Sequence, residues 1–134
     1  MGYRSDVVLA FAFKEKAQID EVLAVYRMHH RVQEYDLAKE WEVRNWDDTW
    51  GLTYSAEYVK WYEGYDDVNA FEHMLVLVET FAEERGEKFP FAYYKIRIGE
   101  DLEDVHTEAD GNDGDLESVL YDRMSVNRSI ETSF

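Results

Sequence analysis

The chain has 134 residues, the length of one domain, and its 46% hydrophobic content with 10 Tyr, 7 Phe and 4 Trp excludes a disordered acidic tail. The formal net charge of -16 disfavours binding to phosphate backbones and anionic membranes, and the lack of cysteine excludes disulfides and thiolate metal sites. No segment approaches the roughly 18 apolar residues of a membrane-spanning helix. We expect one soluble, intracellular acidic domain over residues 1–134.

The first half of the chain predicts a strand, a helix and a hairpin. Residues 3–13 alternate with apolar side chains on both faces, which predicts a central strand covered on each side. Residues 14–30 change to helical spacing and predict a helix lying on the sheet. Residues 32–40 fit either a helical extension or an irregular link. Segments 41–46 and 50–62, rich in aromatic and β-branched residues, flank the polar turn 47–49 and predict a β-hairpin.

The second half predicts a helix and two strands. Asp66 or Asp67 can cap a helix that Gly86 ends. Residues 89–98 alternate as a strand that starts near Pro90, and residues 118–130 are interpreted as a final extended segment. The order predicts the α+β class: a ferredoxin-like βαββαβ antiparallel sheet with two helices on one face and an added C-terminal strand.

A strongly acidic segment lies between the last two predicted strands. Residues 100–117 contain nine acidic side chains and no Lys or Arg, which predicts a flexible, solvated loop. A calcium-loop interpretation starting at Asp110 fails, because its sixth position is Asp115 and not glycine, and its twelfth is Tyr121 and not glutamate. The residues of this loop that we expect to contact a partner are Glu100, Asp101, Glu103, Asp104, Glu108, Asp110, Asp113 and Asp115.

The second predicted helix adds Glu72, Glu79 and Glu83 to the candidate contact surface. Carboxylates on successive helical turns lie about 6 Å apart, comparable to the spacing of successive phosphates, so the row could occupy the basic groove of a nucleic-acid-binding protein. The alternative is an ordinary solvated helix face. In the hairpin, Trp46 and Trp50 are candidate aromatic anchors if they are exposed, and core residues otherwise.

Catalytic, cofactor and metal sites find no support in the sequence. The chain has no G-x-S-x-G, Walker A or G-x-G-x-x-G motif. Of the four histidines, His29 and His30 are adjacent and would point about 100° apart on a helix, while His73 and His106 stand alone. We therefore predict no catalytic residue, no cofactor and no metal ligand.

Three short segments carry a resemblance to known proteins. The opening residues 1–7, Met-Gly-Tyr-Arg-Ser-Asp-Val, resemble the start of a group of small uncharacterised bacteriophage proteins. Residues 94–101, Tyr-Lys-Ile-Arg-Ile-Gly-Glu-Asp, and residues 125–130, Ser-Val-Asn-Arg-Ser-Ile, are similar to segments of the same group. The resemblance implies a phage origin and expression in a bacterial cytoplasm, and it transfers no residue role.

Three functions follow as hypotheses. The first is a non-enzymatic phage accessory protein that binds a basic partner, such as a host nucleic-acid-handling enzyme, through its acidic surface. The second is a structural or self-assembling module, a homodimer for example, in which the acidity serves solubility. The third, a divalent-metal hydrolase, would use a carboxylate cluster that the sequence does not locate.

Overall fold

The computed structural model of the protein describes residues 3–62, 64–101, 103–126 and 129–134, and it contains seven strands and four α-helices within those residues. The strands are β1 Ser5–Phe13, β2 Glu42–Trp46, β3 Thr49–Val59, β4 Phe91–Gly99, β5 Val105–Gly111, β6 Met124–Val126 and β7 Ile130–Thr132. The helices are α1 Lys16–Tyr26, α2 His30–Tyr35, α3 Asp66–Arg85 and α4 Gly114–Arg123. Short 3₁₀ turns cover Leu37–Glu40 and Gly86–Lys88.

Five strands form one sheet in the order β2-β3-β1-β4-β5, and every neighbouring pair is antiparallel. Strands β6 and β7 form a separate two-stranded hairpin. The mixed α+β class is therefore confirmed. The fifth strand of the sheet differs from the predicted one, because it comes from the acidic segment and lies beside β4.

Both faces of β1 are buried, as its sequence predicts. Val7, Leu9, Phe11 and Phe13 face α1, α2 and α3 in the larger core, which we call the α3 face. Val8, Ala10 and Ala12 point to the other side, the α4 face, where α4 and the β6–β7 hairpin cover the sheet. The predicted arrangement places two helices on one face of the sheet and does not include the helix and hairpin that cover the α4 face.

Two predictions for the C-terminal third are wrong. The segment predicted as a flexible loop over 100–117 holds strand β5, paired with β4 at seven consecutive positions, and the start of α4. Of the extended segment predicted for 118–130, residues 118–123 belong instead to helix α4, which buries Leu116 and Leu120 one turn apart, whereas residues 124–126 and Ile130 are extended in β6 and β7. The part of that prediction, and of the phage resemblance, that falls on Asn127 and Arg128 lies outside the described residues.

The helix predicted over 66–86 is confirmed in type and length. Gly86 ends it with a positive φ of 58°, a conformation that glycine adopts more readily than other residues. The helix predicted over 14–30 is confirmed as α1 but ends at Tyr26, and the segment 32–40, for which the sequence leaves two interpretations open, holds most of α2, with His29 as its N-cap, and a 3₁₀ turn. Within the described part of the chain, no helix is both long and apolar enough to cross a bilayer.

Candidate functional site

The candidate site is the seam where α3 passes over the edge strand β5. Two open cavities of about 790 and 310 Å³ lie along it. Six carboxylates from both elements and from the start of α4 line these cavities, and we call them the acidic seam: Glu72, Glu79, Glu83, Glu108, Asp110 and Asp113. Six of the acidic residues that the sequence nominates, drawn from two separate segments, are thereby brought together.

The period of the strand puts the acidic residues of β5 on the α3 face. Glu108 is paired in register with Lys95 of β4, and Asp110 with Tyr93, both of which point towards α3. Because side chains alternate along a strand, Glu108 and Asp110 share this face, while Thr107 and Ala109 point to the α4 face. The acidic face is therefore a direct consequence of the β5 register.

A buried lysine lies at the base of the seam. Lys95 is fully buried, and its Nζ lies 2.7 Å from the Glu72 Oε1 and 3.9 Å from the Glu108 Oε1. The ammonium also lies 5.8 Å from the centroid of the Trp61 ring, within cation–π range. Lys95 thus ties α3 to β5 and offsets part of the negative charge of the seam from below.

At the wide end of the seam, which is the cavity of about 790 Å³, burial and neighbouring carboxylates raise the pKa of one carboxyl group. The pKa of Glu79 is raised to about 7. The largest cause is partial burial, and smaller contributions come from a hydrogen bond to Asp110 and from the charges of Asp110 and Glu83. Among the described residues, the only basic side chain lining this cavity is Lys14, whose Nζ lies 3.1 Å from the Asp113 Oδ2. At neutral pH the wide end therefore carries unneutralised negative charge open to solvent.

Asp113 has a structural role in addition to its place on the seam. Its Oδ1 accepts hydrogen bonds from the backbone N–H groups of Asp115 and Leu116 and so caps α4. Partial burial favours a higher pKa for Asp113, but the Leu116 N–H and the Lys14 ammonium outweigh it and lower the pKa. This carboxylate is therefore ionised at neutral pH, and its position is fixed by the two backbone hydrogen bonds and by Lys14.

The other nominated acidic residues lie away from the seam. Asp104, in the β4–β5 turn, accepts hydrogen bonds from the Arg97 guanidinium and the Tyr3 hydroxyl, and these, in that order, lower its pKa. Glu100 accepts a hydrogen bond from the Arg4 backbone N–H. In the same turn are Asp101 and Glu103, both exposed, and Asp115 is exposed in the first turn of α4.

The two tryptophans nominated as exposed anchors do not have that exposure. Trp46 is 8% exposed on the α4 face, beneath Arg123 and Phe134, and Trp50 is half-buried against the larger core. Trp46 is therefore a core residue, the alternative that the sequence leaves open, and its ring covers Gly51 of the neighbouring strand. The structure therefore provides no exposed Trp46 for a partner.

Sequence reasoning missed a cluster of three histidines. His73 of α3 lies against His29, with ring centroids 4.4 Å apart, and His29 stacks on His30 at 4.8 Å. Burial and then the neighbouring His29 lower the pKa of His73, so its neutral form is favoured. The spacing of 44 residues between His29 and His73 gave no signal of the contact. Among the described residues, no group of three or more His, Asp or Glu side chains has an arrangement that could hold a metal ion.

The protonation of Glu79 yields a testable prediction. Because its folded-state pKa is raised, the folded chain binds the proton more tightly, and stability falls as the pH rises from about 4.5 to about 7. We expect Glu79→Gln to stabilise the fold at pH 8 by about 1 kcal/mol, after discounting for solvent screening, and by much less at pH 5. Urea unfolding at both pH values measures this. Glu84→Gln, an exposed neighbour on α3, is the control, and equal effects of the two variants at pH 8 would contradict the prediction.

Comparison with protein-family models, with curated proteins and with solved structures found no match to this chain. The interpretation of the acidic seam therefore depends on its geometry.

Proposed function

We propose that the protein is a non-enzymatic binding factor that uses the acidic seam to hold a basic surface of another protein. The observation that carries the proposal is the wide end of the seam, where Glu79, Glu83, Asp110 and Asp113 line one open cavity. A Lys or Arg side chain placed there would lower the raised pKa of Glu79 and relieve the repulsion between the carboxylates. The site is thus suited to a cationic partner.

The partner class we propose is a nucleic-acid-handling protein of a bacterial host, and the setting is a phage accessory factor in the host cytoplasm. The resemblance of three short segments to small bacteriophage proteins supports the setting. The rows of carboxylates on α3 and β5 support the partner, since proteins that bind phosphate backbones present Lys and Arg side chains that neutralise rows of negative charge. We also propose that β2-β3-β1-β4 with α1 and α3 is a ferredoxin-like unit, extended by β5; its antiparallel order supports this.

The test is capture from bacterial lysate on the immobilised chain, followed by affinity measurements on the basic protein retained. We expect the triple variant Glu79→Gln, Glu83→Gln, Glu108→Gln to weaken binding about 10- to 100-fold, from about 0.5–1 kcal/mol for each lost charge contact. Binding by the unmodified chain should fall steeply with salt and be competed by DNA.

The control for this experiment removes the same number of charges elsewhere. Asp48, Glu57 and Glu131 are exposed and lie outside the seam, so the variant Asp48→Asn, Glu57→Gln, Glu131→Gln has the same net charge as the seam variant. Equal loss of binding in both variants would show that only net charge matters. That result would contradict a role for the seam.

A second candidate function is self-assembly through strand edges. Strands β2 and β5 are the outer strands of the sheet, and within the described residues neither has a partner on its outer side. Open edges are a common route to dimers. Sedimentation that shows a concentration-dependent dimer of the purified chain, with no basic protein retained from lysate, would favour this candidate.

A further inference from the structure

We infer that the partner binds as an extended segment added to the outer edge of β5, with Lys or Arg at alternate positions. This inference rests on the proposed function and specifies how its partner is held. The observations that carry it are the direction of the backbone groups of β5, the exposure of its edge and the period of its charged side chains.

The hydrogen-bonding ladder shows which backbone groups of β5 are open. The Gly99 N–H donates to the Asp104 carbonyl at 2.8 Å, and the Asn112 N–H donates to the Phe91 carbonyl at 3.1 Å. The residue pairs 99/104 and 91/112 continue the register that pairs β4 with β5. In an antiparallel ladder, residue pairs that exchange backbone hydrogen bonds alternate with pairs that do not. The backbones of residues 106, 108 and 110 therefore bond to β4, and those of 105, 107 and 109 point outward.

The outward positions are accessible. Val105 is 44% exposed, and Thr107 and Ala109 are also exposed. Proteins commonly protect an edge strand with lysine, proline or a bulge. Strand β5 contains neither residue, and its pairing with β4 is regular at all seven positions. The Val105 N–H already donates to the Glu103 carbonyl at 3.0 Å, so within the described residues the edge offers chiefly the backbone groups of Thr107 and Ala109 to an incoming strand.

The charge pattern of β5 specifies the incoming side chains. Residues on an added strand that lie opposite Glu108 and Asp110 would place their side chains on the same α3 face, with Cβ atoms about 5 Å away. Basic side chains at every second position would therefore meet Glu108, Asp110 and the seam beyond them. Backbone bonds and charge contacts come from alternate residues of β5, so the two contributions are separable by mutation.

A second copy of the chain is a poorer occupant of the same edge. Strand β5 contains no Lys or Arg, so pairing two β5 strands would bring Glu108 and Asp110 of both copies to one junction. Like charges across neighbouring strands are destabilising, and each chain carries a formal charge of -16. The acidic residues thus protect the edge against self-pairing and leave it open to a basic strand.

The probe is a labelled peptide of alternating Thr and Lys, capped at both ends, and binding is followed by fluorescence anisotropy at low salt. We expect Ala109→Pro to weaken binding about tenfold, because it removes an outward N–H and obstructs the arriving strand. Ala109→Val keeps the N–H and should bind within about twofold of the unmodified chain. Both substitutions lie on the α4 face, away from the acidic side chains.

Two further measurements keep the test decisive if Ala109→Pro fails to fold. A peptide N-methylated at alternate residues, which cannot pair as a strand, should lose binding to the unmodified protein. Hydrogen exchange of the Thr107 and Ala109 amides should slow on peptide binding, since these groups gain partners, with less change at Glu108 and Asp110.

Each alternative outcome has a definite meaning. Strand addition would be overturned if the alternating peptide did not bind. It would also be overturned if the N-methylated peptide bound as tightly as the unmethylated one and Ala109→Pro bound the peptide as tightly as the unmodified protein. If the seam variant still loses its basic protein partner in that case, the proposed function stands without the strand. A dimer of the unmodified chain that Ala109→Pro dissociates would show that β5 binds a second copy.

Discussion

Replacing Glu72 by leucine is expected to lower the free energy of unfolding by about 2–3 kcal/mol, because it takes a carboxylate away from a buried ammonium. Lys95 is fully buried, and the Glu72 Oε1 lies 2.7 Å from its Nζ. Glu72 is itself 32% exposed, so the effect falls below the roughly 3–5 kcal/mol of a fully enclosed pair. Urea unfolding at pH 7 measures it.

Replacing the lysine of the pair should lower the free energy of unfolding less than replacing the glutamate, and this difference tests our account of the pair. Lys95→Met leaves Glu72 and Glu108, which are partly exposed and can regain hydration, so a loss of about 1 kcal/mol is expected. The double variant Glu72→Leu, Lys95→Met should recover most of the stability lost in Glu72→Leu. If Lys95→Met costs more than Glu72→Leu, the ammonium is the stabilising member of the pair and our account of it is wrong.

The central strand and the long helix were predictable because their signals are local. In β1 both faces are apolar, and only a strand covered on each side buries both. In α3 the apolar residues recur at helical spacing, and Gly86 supplies the positive φ with which the helix ends. In both elements the period of the side chains matches the surface that is buried.

Strand β5 could not be recognised in the same way, because what stabilises it lies elsewhere in the chain. Its composition is that of a solvated loop, and most of its residues are exposed. It is ordered by seven register pairs with β4 and by Lys95 of that strand, whose Nζ lies 3.9 Å from the Glu108 Oε1. Strand propensity measures such packing with neighbours more than the residues themselves.

Helix α4 did leave a signal that the acidic composition obscured. Asp113 is a favourable N-cap, Leu116 and Leu120 are one turn apart, and Arg123 lies in the last turn, where a cation is favourable. Its position on the α4 face depends on the small and apolar residues of β1 and β4. The members of the acidic seam could be named from the sequence, but their meeting depends on the placement of β5 and α4.

Gly51→Ala is expected to destabilise the fold by about 1–3 kcal/mol, because the new methyl group would overlap the Trp46 ring. That ring cannot give way easily, since the Arg123 guanidinium lies 4.6 Å above it and the Phe134 ring 5.7 Å away. Displacing it would open the C-terminal cover of the α4 face. Chemical denaturation measures the loss, and oxidation or quenching of Trp46 reports its release.

A double-mutant cycle distinguishes this overlap from a general effect of the glycine. In a Trp46→Leu background the overlapping ring atoms are gone, so Gly51→Ala should cost at least about 1 kcal/mol less than it does alone. Gly114→Ala is the matched control, because a methyl group there meets nothing within 4 Å and lies in the first turn of α4, where alanine is favourable. Equal costs of Gly51→Ala in both backgrounds would mean that Trp46 does not require glycine beneath it.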